Sequence, residues 1–275
     1  MQLTTSCTYA SDLSASELFK TPMVHLGSFP SLNILAQSPE NEAQACTAES
    51  VANLAFTDEF KVQARLGGLI PSIAHLMRKR CLEVQLETAR AVRALGSNHE
   101  NKLALVEAGA LHGLRDMLDH KSSEARVRAT HALALLANNQ DNGAAISKAG
   151  AVRSLVNLLD DSNPSVLAGA AEVLAEVTRT KKCDTRGEVA EWGAIPKLNA
   201  ALDGQTDARI NLQVSRIVNH LTTADMLSSK AANEARSFMV VQHRVGQVAA
   251  DATARNIREV YSRAPALSNG LKHPA

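Results

Sequence analysis

Apolar residues recur every three or four positions along most of the chain, a spacing that places them on one face of a helix. Five segments of the chain can be aligned, and equivalent positions in the five segments form what we call columns. Two columns are apolar and lie three residues apart, and a third column contains mostly small residues. The columns are Val51, Val92, Leu133, Leu174 and Val218, then Leu54, Leu95, Leu136, Val177 and Leu221, and for the small residues Ala48, Ala89, Thr130, Ala171 and Ser215. The pattern predicts five amphipathic helices whose small residues let neighbouring helices approach closely.

Glycines mark the same period along the chain. They are Gly27, Gly68, Gly109, Gly150 and Gly193, separated by 41, 41, 41 and 43 residues. Each is expected to end a short helix in left-handed backbone, which costs glycine little. A second helix follows, with a proline near its start in three units (Pro30, Pro71 and Pro196), where a missing N–H is harmless. A polar turn and the longer striped helix complete each unit, and a fixed period of this length is typical of a helical solenoid.

The repeated phrase resembles the armadillo repeat family. It reads EAGALHGLRDML at 107–118 and KAGAVRSLVNLL at 148–159, and a third helix of the form x-x-A-x-x-A/V-L-x-x-L follows. The resemblance covers residues 22–222 as five units and is most specific from 101 to 178. It implies an all-α fold, a right-handed α-superhelix of about five three-helix repeats whose third helices line the concave side. HEAT repeats are the structural alternative, but the glycine turn and the three-helix unit favour armadillo.

The chain is expected to divide into four parts. Residues 1–14 are predicted to be disordered, and residues 15–222 to form the solenoid. Residues 223–263 have helical composition and are expected to form capping helices, because the end of a stack needs a polar outer face. The alternative for this stretch is a partner-binding helix. Residues 264–275 are expected to be a disordered tail.

The overall charge limits the classes of partner. The chain has 29 Lys and Arg residues and 28 Asp and Glu residues, so its net charge is +1. This balance gives no strong indication of nucleic-acid binding. No stretch approaches the roughly 20 apolar residues that cross a bilayer. The four cysteines form no C-x-x-C pair, so a reduced, cytoplasmic protein is expected, with the nucleus or the membrane periphery left open. A monomer or a weak dimer is expected.

The sequence carries no recognisable catalytic or metal-binding motif. It lacks the phosphate-binding glycine loops and the G-x-S-x-G nucleophile motif. The only His-Glu pair is His99-Glu100, and the nine histidines include none spaced four residues apart on a helix. We therefore expect no enzyme activity, no metal and no cofactor.

Candidate binding residues lie on the exposed face of the third helices. One column reads Glu49, Arg90, His131, Glu172 and Arg216, and the column one turn further reads Asn53, Ala94, Leu135, Glu176 and His220. The predicted groove residues are Glu49, Asn53, Arg90, Arg93, Arg128, His131, Glu172, Glu176, Arg216, Asn219 and His220. The resemblance suggests comparison with nuclear import adaptors, which carry Trp and Asn in these two columns. Here the first column has no Trp and the second keeps only Asn53, so import of basic peptides is not expected.

These charges allow two interpretations. A mostly cationic groove suits an extended acidic segment of a partner protein. Alternatively, the charges pair with each other across the repeat interface, Glu49 with Arg90 and His131 with Glu172. The sequence favours a non-enzymatic scaffold that binds an extended peptide or a partner helix, because solenoids offer extended concave surfaces. The alternative function is a membrane- or cytoskeleton-associated recruiter located by its terminal segments.

Overall fold

The computed structural model describes residues 11–25, 27–180, 185–204 and 208–222, and this part of the chain contains helices and no strand. A helical turn at 11–15 precedes the main elements, and a 3₁₀ turn, Leu158–Asp160, extends α11. The α-helices are α1 (Glu17–His25), α2 (Phe29–Ala36), α3 (Asn41–Leu54), α4 (Asp58–Leu66), α5 (Leu69–Leu76), α6 (Leu82–Leu95), α7 (His99–Glu107), α8 (Ala110–Leu118), α9 (Ser123–Ala137), α10 (Gln140–Lys148), α11 (Ala151–Asn157), α12 (Pro164–Arg179), α13 (Thr185–Glu191), α14 (Ala194–Gly204) and α15 (Ala208–Thr222).

Taken three at a time, these helices form five repeats, as the sequence predicted. The third helices are α3, α6, α9, α12 and α15, and each packs against the third helix of the next repeat. The two predicted apolar columns are almost completely buried at every position, between 0% and 1% exposed. The core is therefore one continuous layer between successive third helices, which no single repeat could bury alone.

The five turn glycines adopt the predicted left-handed backbone. Their φ angles lie between 71° and 86°, and no other residue in the described part of the chain has a positive φ. Each glycine therefore sets the local geometry of its repeat.

Side-chain caps repeat with the same period as the glycines. The Thr57 hydroxyl and the Asn98 and Asn139 amides, each 41 residues apart, accept hydrogen bonds from the first backbone N–H groups of α4, α7 and α10. Ser122 and Asn163 cap the third helices α9 and α12 in the same way. A cap of this kind contributes about 1 kcal/mol to stability.

A buried asparagine joins neighbouring repeats through hydrogen bonds. The Asn101 amide nitrogen donates to the carbonyl oxygens of Lys61, at 2.9 Å, and Leu95, at 3.2 Å. Asn142, which lies 41 residues later, donates to Lys102 and Leu136 in the same geometry. These hydrogen bonds hold the first helix of one repeat against the repeat before it.

The start of the described chain differs from the sequence-based expectation. Residues 11–14 were expected to be disordered, but they lie in the helical turn at 11–15. Ser11 Oγ donates to Glu49 Oε2 at 2.6 Å, and Asn53 Nδ2 donates to Ser14 Oγ at 3.1 Å. These contacts join residues 38 and 39 positions apart, close to the repeat period, so the turn packs on α3 much as a preceding third helix would. The predicted capping helices at 223–263 and the tail at 264–275 lie outside the described residues.

Candidate ligand-binding groove on the third helices

The exposed sides of the five third helices form one surface, which we call the third-helix groove. All eleven predicted residues lie on these helices. Their side chains point away from the buried columns, because the predicted positions fall on the opposite part of each helix. They divide into two paired networks and a middle section that is not paired.

The first network covers repeats 1 to 3. Arg90 lies 3.8 Å from the Glu49 carboxylate and 3.1 Å from Glu87. Arg128 lies 3.1 Å from the same Glu87 and 2.7 Å from Glu124. Two arginines and three carboxylates thus alternate along the groove, and the charges of both arginines are neutralised by the protein itself.

Asn53 belongs to the same network. Its Oδ1 accepts a hydrogen bond from Arg90 Nη2 at 3.0 Å, while its Nδ2 donates to Ser14. Both ends of the amide are therefore occupied. Asn53 is one of the predicted groove residues, and in the structure it joins the helical turn at 11–15 to repeat 2.

The second network lies between repeats 4 and 5. Glu176 accepts hydrogen bonds from Arg216 at 2.5 Å and from Arg179 at 2.9 Å. Burial acts to raise the pKa of the Glu176 carboxyl, but the two arginines outweigh it and hold the pKa below its usual value. His220 Nδ1 lies 3.1 Å from Thr178 Oγ1, and burial together with Arg186 and Arg216 lowers the pKa of this histidine.

The middle section contains Arg93 on α6, His131 on α9 and Glu172 on α12. In the described part of the chain, the Arg93 and Glu172 side chains make no hydrogen bond or ion pair, and both are exposed. His131 lies on the helix between theirs. Partial burial and the charges of Arg93 and Arg209 lower its pKa, although Glu172 opposes this. Three successive repeats therefore present a free cation, a histidine that favours its neutral form and a free anion.

Two adjoining clefts open along the groove. The smaller cleft, of about 300 Å³, is lined by Arg93, His131, Leu135, Asn138 and Glu172 among others. The larger cleft, of about 540 Å³, is lined by polar residues that include His99, Asp141, Arg179 and Arg216. Asn138 and Glu176 line both clefts, so the two form one polar channel.

A metal site and a membrane-spanning helix would be alternatives to a binding groove. In the described residues, no group of three or more His, Cys, Asp or Glu side chains is arranged to hold a metal ion. Among the same residues, no helix is both long and apolar enough to span a bilayer.

Solved structures identify the architecture. A designed armadillo repeat protein matches 79% of this chain and 92% of its own length, with a TM-score of 0.71 and 23% identity. A second designed armadillo repeat protein, solved in complex with the peptide (KR)4, matches 79% of this chain and 92% of its own, with a TM-score of 0.70 and 24% identity. The chain has an armadillo-repeat fold. A third structure, of computationally designed armadillo repeat proteins for modular peptide recognition, matches 78% of this chain and 92% of its own at a TM-score of 0.71 and 23% identity.

No protein-family model and no curated protein sequence matches the chain. The assignment of an armadillo-repeat fold therefore depends on the turn glycines, the buried columns and the three-dimensional likeness.

Sequence reasoning on this armadillo-repeat chain missed residues that define the groove. Glu87, Glu124 and Arg179 neutralise predicted binding residues, and the sequence carries a signal for each of them. Glu87 lies three residues before Arg90 and 41 before Arg128. Glu124 lies four residues before Arg128, and Arg179 lies three residues after Glu176. Asn138, which lies between the clefts, immediately follows the last helical residue of α9.

The pairing interpretation of the groove charges holds at one of its two predicted pairs. Glu49 and Arg90 lie 3.8 Å apart, as the pairing alternative predicted, whereas His131 and Glu172 form no ion pair within the described residues. Asn219 is exposed on α15.

Proposed function

We propose that this chain is a non-enzymatic scaffold that binds an extended segment of a partner protein along the third-helix groove. The observation that carries the proposal is the polar channel of two adjoining clefts, which crosses α9, α12 and α15. A ligand lying across successive helices contacts several repeats at once. Its affinity is the sum of many modest contacts, offset by the entropy lost on ordering the segment.

Asn138 is the residue best placed to hold a ligand backbone. It is exposed, lines both clefts, and its side chain makes no hydrogen bond in the described part of the chain. An amide side chain both donates and accepts, so it can satisfy the N–H and C=O groups of an extended segment. Leu135, one turn earlier, is half-buried and offers an apolar contact beside it.

The similar designed proteins agree with this proposal. One is solved with a bound (KR)4 peptide, and another is described as made for modular peptide recognition. We extend peptide binding to this chain, but not the basic ligand, because its groove has its own distribution of charges.

The test is selection from a random twelve-residue peptide library displayed on phage. We expect the protein to enrich peptides, and Leu135→Arg to abolish their binding by placing a long cation in the smaller cleft. The matched control is Leu66→Arg, which introduces the same side chain on the exposed end of α4. Equal binding by both variants, or no enrichment by the wild type, would refute a peptide-binding groove.

A further inference from the structure

The charges that remain free in the groove are more informative about the ligand than the total number of charges. Arg90, Arg128, Arg179 and Arg216 each lie beside a carboxylate of the protein. A ligand carboxylate must first displace such a partner, so binding replaces one ion pair by another and gains little. The number of arginines therefore does not by itself predict an acidic ligand.

Arg93 is different from the other groove arginines. It is exposed, lines the smaller cleft, and its guanidinium has no carboxylate partner in the part of the chain that the structure describes. A guanidinium presents paired donors that match a carboxylate in a bidentate arrangement. An acidic ligand side chain can bind there without displacing any group of the protein.

Glu172 provides the complementary charge at the other wall of the same cleft. It is exposed and makes no hydrogen bond or ion pair among the described residues. A ligand lysine or arginine can bind there without displacing any group of the protein. Between the two, His131 and Leu135 present a surface that carries no fixed charge near neutral pH, because the pKa of His131 is lowered.

We infer that the ligand is an extended segment carrying one acidic and one basic side chain, which pair with Arg93 and Glu172 respectively and flank an uncharged stretch over His131. This inference rests on the proposed function. Arg93 and Glu172 lie two repeats apart, and packed helices are about 8–10 Å apart, so their helix axes are separated by about 16–20 Å. Both side chains border one cleft, which shortens that span. An extended chain advances about 3.3–3.6 Å per residue, so the ligand's two charges are about three to five residues apart.

The experiment compares phage selections on three forms of the protein. The wild type is expected to enrich peptides with an acid and a base about three to five residues apart, in one order along the peptide. The double variant Arg93→Glu, Glu172→Arg is expected to enrich the opposite order, because it exchanges the two charges. The control is Arg80→Glu, Glu107→Arg, which makes the same changes at exposed positions outside the groove and is expected to select as the wild type does.

A selected peptide is then synthesised with a fluorescent label and titrated by fluorescence anisotropy. The charge-exchanged variant is expected to weaken its binding roughly tenfold, and the peptide with acid and base interchanged to recover it. Thermal melting confirms that each variant is folded.

The outcomes separate the two claims. Enriched peptides without the charge pair, or with the same order on the charge-exchanged variant, overturn this inference and leave the peptide-binding groove standing. Failure of the wild type to enrich any peptide overturns both.

Discussion

Single residues fix the turns of this solenoid. The glycine between the first and second helices takes a positive φ in all five repeats. Residues with a side chain adopt this backbone only at a cost, because Cβ crowds the following carbonyl oxygen. One residue type at one position per repeat is therefore required by the backbone alone.

Gly150 allows this requirement to be measured without a steric contribution, because a Cβ added there would meet nothing within 4 Å. Gly150→Ala is expected to lower the free energy of unfolding by about 1–2 kcal/mol, as measured by urea denaturation. Gly150→Asn is the control and should lose less, since Asn tolerates left-handed backbone. Equal stability of all three proteins would mean that the turn can relax to a negative φ.

Two groove histidines predict a dependence of stability on pH. The pKa values of His131 and His220 are lowered in the folded chain, in both cases mainly by burial. The unfolded chain therefore binds more protons than the folded chain as the pH falls through about 6.5, the ordinary histidine pKa, and stability is lost. The melting temperature is expected to decrease as the pH is lowered from 7.5 to 5.5.

The variant His131→Gln, His220→Gln is expected to show a shallower decrease over the same pH interval. The replacement His75→Gln, on the exposed side of α5, controls for the loss of a histidine elsewhere. An unchanged pH dependence in the double variant would show that these two side chains do not control it.

Pairs of elements are held at fixed separations by small residues and buried amides. The second helix α8 approaches the end of α5 so closely that a Cβ on Gly113 would lie 2.0 Å from the Met77 carbonyl oxygen. On the third helices, a Cβ on Gly169 would lie 2.5 Å from Thr130 Oγ1. These contacts set the spacing between repeats, and the Asn101 and Asn142 hydrogen bonds fix it further along the stack.

The substitution Gly113→Ala tests that spacing, because local structure and tertiary structure predict opposite effects on stability. Helix propensity alone predicts that alanine stabilises α8 by about 1 kcal/mol. The contact with the Met77 backbone predicts instead a loss of about 1–3 kcal/mol, because repeats 2 and 3 must move apart. Urea denaturation gives the sign, and a more stable variant would show that α8 moves away from α5 at little cost.

The five repeats that the structure describes form a stack in which each repeat contacts its neighbours. Stability in such a stack is a sum of repeat and interface contributions, so the ends open more easily than the centre. Amide hydrogen exchange should be slowest in α9, which packs on third helices at both sides, and faster in α1 and α2 of repeat 1. Equal exchange rates along the chain would indicate a single cooperative unit.

Much of the fold was readable from local patterns. The glycine positions, the two buried columns and the three-helix order of each repeat are all as predicted, because each depends on backbone preference or on helical periodicity. The exception was residues 11–14, where a short polar segment gains its order only by contact with Glu49 and Asn53. The predicted groove residues lie on the third helices, as the period implied, but the sequence could not assign them to partners.

The sequence by itself determined the period, the turns and the core of this protein, because these follow from which φ angles a residue adopts and which side chains avoid water. The tertiary structure alone decided which groove charges are free. Arg90 and Arg93 stand three residues apart on one helix, yet Arg90 is surrounded by Glu49, Glu87 and Asn53, whereas Arg93 faces an open cleft. Ion pairing depends on separations of a few ångströms between residues some 40 positions apart, and those separations are set only when the third helices pack.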